Sequence, residues 1–305
     1  MVVRPRPGLV TILFTLRGSI LPQIAPKVLG ITAIACAVVA VERHWPDPFP
    51  LPVGIGAFTL IGLALSIFLS FRNGACYDRW WEARKTWGGL MTETRGLART
   101  LNATLTGPDQ DERRRRCLRR LSAFAHALHA RLREADTGRA AAFLPRAEGE
   151  ALAARPSPAD AVLAALAADL GRAMREGAFG EVLFALFEGR IAALSAAQAT
   201  CERIRTTPLP FAYTLLLYRT AWLYCLLLPF GLAASLGWAT PVASALVAYT
   251  FFGLDALGDE LEEPFGLEPN DLPLDALLHA VDAAILDALG EPVPPAPAPQ
   301  DHILA

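Results

Sequence analysis

Leu63, Ile67 and Phe71 recur every four residues, and on a helix side chains at that spacing stack into one gently drifting row. Beside it runs a second row, Gly62, Ser66 and Ser70, made of small residues only. Small residues at this spacing let helices approach closely inside a bilayer. A helix with both rows can join a ring, packing through the small row and turning its bulky row to the centre. Rings of Leu, Ile and Phe offer a hydrated ion no hydrogen-bond partner, and narrow apolar rings of this kind gate by dewetting. The same rows equally suit a helix whose bulky side faces lipid or another helix. Spacing therefore permits a pore and does not require one.

Directly after Phe71 come Arg72, Asp78, Arg79 and Glu82, interleaved with Tyr77, Trp80 and Trp81. Aromatics and arginines in this mixture suit the headgroup layer of a membrane. Yet Asp78 and Glu82 share a helix face at i,i+4, and Arg79 and Glu82 stand at i,i+3. That crowding predicts a charged network inside the protein that holds the helix end. Other chemistry is poorly represented. There is no HExxH, no GxSxG and no glycine-rich phosphate loop, which argues against an enzyme, and no cofactor, metal or nucleic-acid partner is expected. His126 and His129 stand at i,i+3 and could ligate a metal, but among so many arginines they read as solvated surface residues. Five cysteines fall singly, without any CxxC pair, so neither a disulfide framework nor a zinc site is indicated.

The elements that must position these residues are written in the hydropathy. The chain is 53% hydrophobic and 19% charged, whereas soluble domains sit near roughly 45–50% and 25%. Residues 28–41 form an uncharged apolar run, which lengthens if the helix extends back through 21–26. Residues 53–71 hold 19 residues without a charge, about 28 Å of helix, which matches a hydrocarbon core of about 30 Å. Residues 220–254 are a 35-residue uncharged tract, broken by Gly237, Thr240 and Pro241 into two helices. Its first helix is expected to begin near 208–210. The expectation is an all-α integral membrane protein with four transmembrane helices. Of 28 Lys and Arg, 22 lie between Arg72 and Arg205. Arg4, Arg6, Arg17 and Lys27 precede the first span, and the loop at 42–52 carries only Arg43. Both termini and the basic segment are thus expected in the cytoplasm. The resulting layout is a cytoplasmic segment 1–27, spans one and two within 28–71, a large cytoplasmic helical region 72–207, spans three and four within 208–257, and a cytoplasmic segment 258–305. Twelve acids run from Asp255 to Asp301, and the Pro- and Ala-rich end from 290 onward reads as a mobile tail. No inverted repeat and no mid-span ionisable residue in 53–71 points to a secondary transporter.

Three blocks resemble the bestrophin family, particularly its bacterial members. They are FRNGACYDRWWEARKTWG at 71–88, CERIRTTPLPFAYTLLLYR at 201–219, and GLDALGDELEEPFG at 253–266 followed by NDLPLD at 270–275. They occur in the family's order and flank spans at the family's places. The resemblance implies a homopentamer around one axial pore, conducting small monovalent ions, chloride or sodium and potassium, across the bacterial inner membrane, with membrane lipid as the other partner. It places the family's apolar neck on Leu63, Ile67 and Phe71, with Gly62, Ser66 and Ser70 packing the neck helices. It also implies a lower constriction within 181–186, at Val182. The chain departs from animal bestrophins after its PFG motif. Leu267, Glu268, Pro269, Asn270 and Asp271 supply too few oxygens for a calcium clasp. Glu262, Glu263 and Asp271 are expected instead to cap helices or to bind basic groups of a neighbouring subunit. A membrane enzyme or a non-conducting structural oligomer is the alternative reading.

Overall fold

The computed structural model describes residues 1–3, 8, 15, 16, 18–45 and 55–304. Arg4, Arg6 and Arg17, most of the first loop, and the start of the second apolar run lie outside the described residues. The described residues are helical with isolated β-bridges and no strand. In chain order the helices are α1 Leu21–His44, α2 Ile55–Thr104, α3 Pro108–Arg133, the short α4 Gly138–Ala141 and α5 Arg146–Leu152, α6 Pro158–Arg175, α7 Glu181–Thr206, α8 Phe211–Leu236, α9 Thr240–Glu262 and α10 Leu274–Leu289. Helix α1 does extend back past Pro26. Arg72 does not end α2, which continues as one 50-residue helix through the charged run. Between α8 and α9, Gly237 takes φ +51°, a conformation that glycine adopts without a Cβ penalty, and a single 3-10 turn reverses the chain.

The chain divides into two compact units. One comprises residues 4–80 and 208–264. Within it α1 packs on α9 and α8, and α8 packs on α9. Its core joins Ile24 and Ile31 of α1, Leu65 and Leu69 of α2, Leu217, Ala221 and Cys225 of α8, and Ala248, Phe251 and Phe252 of α9. The uncharged apolar tracts of the sequence fall on α1, the first part of α2, α8 and α9, all of them within candidate membrane spans by length and hydropathy. Long apolar faces on all four remain exposed, which in water would be an aggregation hazard and in a bilayer is a solvated surface.

The other unit comprises residues 1–3, 81–207 and 265–305. Helix α3 is its centre and is buried along nearly all of Cys117–Leu132, packed by α6, α10 and α7. Helix α7 is also long and apolar enough to cross a membrane by length and hydropathy alone. It nevertheless carries Glu188 and Arg190 near its middle, and Arg190 pairs with Glu93 at 3.1 Å. Its packing against α6 and α3 makes it a helix of the basic unit. Buried charge is paired there too, with Asp169 holding Arg116, Arg120 and Arg172. The segment from 290 onward is extended and mostly exposed, but its end is tied down. Val3 N–H donates to the His302 carbonyl at 2.8 Å and Leu304 N–H to Met1 at 2.9 Å.

Candidate functional site

The spanning part of α2 has two opposed faces. Leu65, Leu69, Arg72 and Cys76 are buried, following the i, i+4, i+7 stripe of a helix that packs on one side. At about 100° per residue, Leu63, Ile67 and Phe71 fall on the opposite side, and they are 59%, 47% and 66% exposed. None of the described residues covers this row, which leaves it to lipid, another subunit or a lumen. The small row divides. Gly62 is buried, and a Cβ there would lie 2.6 Å from the Tyr224 hydroxyl, so its smallness serves packing against α8. Ser66 hydroxyl donates back to the Gly62 carbonyl at 2.8 Å, and Ser66 and Ser70 are left exposed on the flank of the bulky row.

The charges at this helix end find partners other than those the spacing suggests. Its hub is Arg72, whose side chain is 0% exposed. The guanidinium meets Asp255 at 2.9 Å, Asp259 at 2.5 Å and Glu262 at 3.4 Å, all on α9. Glu262 also accepts from the Leu209 N–H at 2.9 Å, and its carbonyl accepts from Arg79 Nε at 3.2 Å. A Cβ at Gly258 would stand 3.1 Å from an Arg72 nitrogen and 2.7 Å from the Asn73 amide oxygen. That glycine makes room for the hub. Glu82 does not pair with Arg79 but with Arg203, at 2.8 Å, and Asp78 is exposed. The physical reason is position on the helix. Arg72 shares the buried face with Leu69 and Cys76, so its charge must find a carboxylate inside the protein. Asp78 stands seven residues beyond Phe71, on the exposed face with the bulky row. Asp255, Asp259 and Glu262 follow i, i+4, i+7, and that spacing is the sequence signal that would have revealed an acidic stripe facing Arg72.

Comparison with known proteins places this arrangement. The family described as Bacterial/Fungal Bestrophin protein matches residues 1–287. The chain belongs to the bestrophin family. A voltage-dependent anion channel-forming protein of Mesorhizobium japonicum is 46% identical over 297 residues, covering 96% of this chain and 94% of that protein. Its counterpart in Escherichia coli K12 is 39% identical over 297 residues, covering 97% and 96%. A solved bacterial bestrophin homologue from Klebsiella pneumoniae superposes with a TM-score of 0.84 at 33% identity, covering 88% of this chain and 99% of that one.

Two residues of this bestrophin that the sequence reads as solvated are buried. His126 Nε2 lies 2.8 Å from Asp282 and His129 Nε2 3.4 Å from Asp275. Both carboxylates belong to α10, whose apolar face covers that side of α3. No group of three or more potential metal ligands occurs among the described residues. Burial, with Arg133 and Arg139 adding to it, pushes His129 down to about 4 against the pull of Asp275. The unfolded chain, with an ordinary histidine, therefore binds a proton more readily than the folded one. Stability held by neutral His129 is complete above about pH 6.5 and drains as the pH falls towards 4. We expect a loss on the order of 1–2 kcal/mol between pH 7 and pH 5, seen as a falling midpoint in detergent thermal melts. His129→Gln is expected to flatten that slope, and an unchanged slope would contradict it. Val182 lies in the first turn of α7 and is 85% exposed. Asp271 is buried, and its carboxylate accepts from the Glu268 N–H at 2.7 Å, closing the turn after the PFG motif.

Proposed function

We propose that copies of this chain assemble around an axis, as a pentamer, and conduct small monovalent ions across the bacterial inner membrane. Both termini and the basic unit face the cytoplasm. Leu63, Ile67 and Phe71 form the apolar neck, Ser66 and Ser70 face the adjoining α2, and Val182 contributes a second constriction. The supporting observation is the uncovered bulky row set opposite the packed face of a membrane-spanning helix. The relatives named as anion channel-forming proteins favour anion conduction, with chloride the simplest permeant ion. A neck without hydrogen-bond partners leaves charge selection to groups on either side. Asp78 is such a group, on the same exposed face two turns beyond Phe71. A unit charge about 5 Å from an ion in water acts with about 0.8 kcal/mol, roughly fourfold in local ion concentration.

Reversal potentials in asymmetric potassium chloride, recorded from purified protein in planar bilayers, test the reading. The expected result is a wild-type potential on the chloride side. Asp78→Asn is expected to move it further towards chloride, by an amount corresponding to a several-fold rise in the permeability ratio. An intact oligomer that carries no current would overturn the proposal, and a potassium-side potential would overturn its anion part.

A further inference from the structure

Two cations of the apolar helices, Lys27 and Arg219, form no ion pair within 4 Å among the described residues, although the charge of Lys27 acts at longer range on Asp255, which Arg72 already holds. Lys27 of α1 lies over the Tyr218 ring, 5.5 Å from its centroid, and over the Phe252 ring at 5.7 Å. Trp222 closes the patch, 6.3 Å from Tyr218 and 4.8 Å from Phe252 between ring centroids. The aromatic faces attract the ammonium but accept none of its three hydrogens in a conventional hydrogen bond. Lys27 has no carboxylate within 4 Å among the described residues, and Arg219, the neighbour of Tyr218 on α8, has none either. Arg219 is exposed.

Depth decides what can satisfy them. Lys27 is six residues into α1 and Arg219 eight into α8, about 9–12 Å from the helix starts. A bare cation at that depth of a bilayer is costly. Helical side chains lean towards the N-terminus, and both helices start on the same side, so both charged ends reach back towards one headgroup layer. The surroundings are those of a lipid. Leu29, Leu216 and Leu223 are exposed by 68%, 62% and 60%. Gly30, one turn beyond Lys27, has open space where a Cβ would stand.

We propose that Lys27 and Arg219 hold the phosphate of an anionic phospholipid, with Tyr218 between them and the acyl chains lying along the exposed leucines. The site requires α1 and α8 to span the membrane and is independent of conduction. Native mass spectrometry of the purified, delipidated oligomer tests it, titrating phosphatidylglycerol or phosphatidylcholine of matched acyl chains. The expected result is retention of phosphatidylglycerol at about tenfold lower concentration, the equivalent of ~1.4 kcal/mol. The double variant Lys27→Gln with Arg219→Gln is expected to lose that preference. Lys27→Arg with Arg219→Lys keeps the charges, and is expected to keep the preference and the oligomer. Equal retention of both lipids by the wild type would overturn the proposal, as would unchanged phosphatidylglycerol binding by the double Gln variant. Displacement of the lipid by millimolar inorganic phosphate would identify a soluble-anion site instead. Dissociation of the oligomer by Arg219→Gln with lipid retention unchanged would assign the arginine to a neighbouring subunit's carboxylate.

Discussion

Alanine at Leu63, Ile67 and Phe71 together is expected to raise the current per channel at least about tenfold, which corresponds to removing ~1.4 kcal/mol from the barrier. The barrier at an apolar ring is the cost of stripping or thinning an ion's hydration where no side chain replaces it. Shortening three successive rings to methyl groups widens the lumen and lets water remain continuous. The same substitutions should leave the protomer folded, because all three side chains are largely uncovered within it, and exposed positions usually cost within about 0.5 kcal/mol. A control lies on the same helix. Leu65 and Leu69 face the core, so alanine there is expected to cost about 2–5 kcal/mol and to lower the yield of folded protein without enlarging the current. Single-channel recordings of size-checked oligomers decide between them. Unchanged currents from the triple variant would remove Leu63, Ile67 and Phe71 from the neck and return that row to lipid.

The largest effect on folding is expected at Arg72, not at Arg79. Arg72→Gln leaves Asp255 buried without its ion-pair partner, with only the more distant charge of Lys27, and strips Asp259 and Glu262 of theirs. Breaking a buried pair from one side costs about 3–5 kcal/mol, enough to abolish recovery of a marginally stable protein. Pairing it with Asp255→Asn removes the orphaned charge and is expected to restore much of the folded yield. Arg79→Ala should be milder, since Arg79 is only half-buried and donates to a carbonyl of Glu262. Gly258→Ala should fall between, at about 1–3 kcal/mol, because the new methyl group must displace the guanidinium. Yield and elution volume in detergent report all four variants. A normal yield for Arg72→Gln would mean that the α2–α9 contact is not held by charge.

How much of this was legible depends on the range over which each signal acts. The spans were readable because hydrocarbon thickness imposes a minimum length of uncharged residues, and the turn at Gly237 because a glycine and a proline interrupt such a run. The continuation of α2 as far as Thr104 was not readable, since the spacing of Asp78, Arg79 and Glu82 implies helix just past Arg72 but says nothing about where that helix stops. Local spacing offered Arg79 and Glu82 as partners, yet Arg79 reaches Glu262 and Glu82 reaches Arg203. An exposed i,i+3 pair stabilises by only about 0.2–0.5 kcal/mol, too little to compete with what a packed partner helix presents. His126 and His129 were misread for the same reason, because only the docking of α10 on α3 removes them from water.

By itself the sequence determined which segments are apolar enough for a membrane, that they are helical, and which residues of α2 share a face, since length, charge and a 3.6-residue period are properties of the chain alone. Only the tertiary structure decided which face of α2 is packed and which is left bare, and that Arg72 finds its three carboxylates more than 180 residues away. A long-range pairing depends on which helices come to lie side by side, and no local repeat encodes that choice.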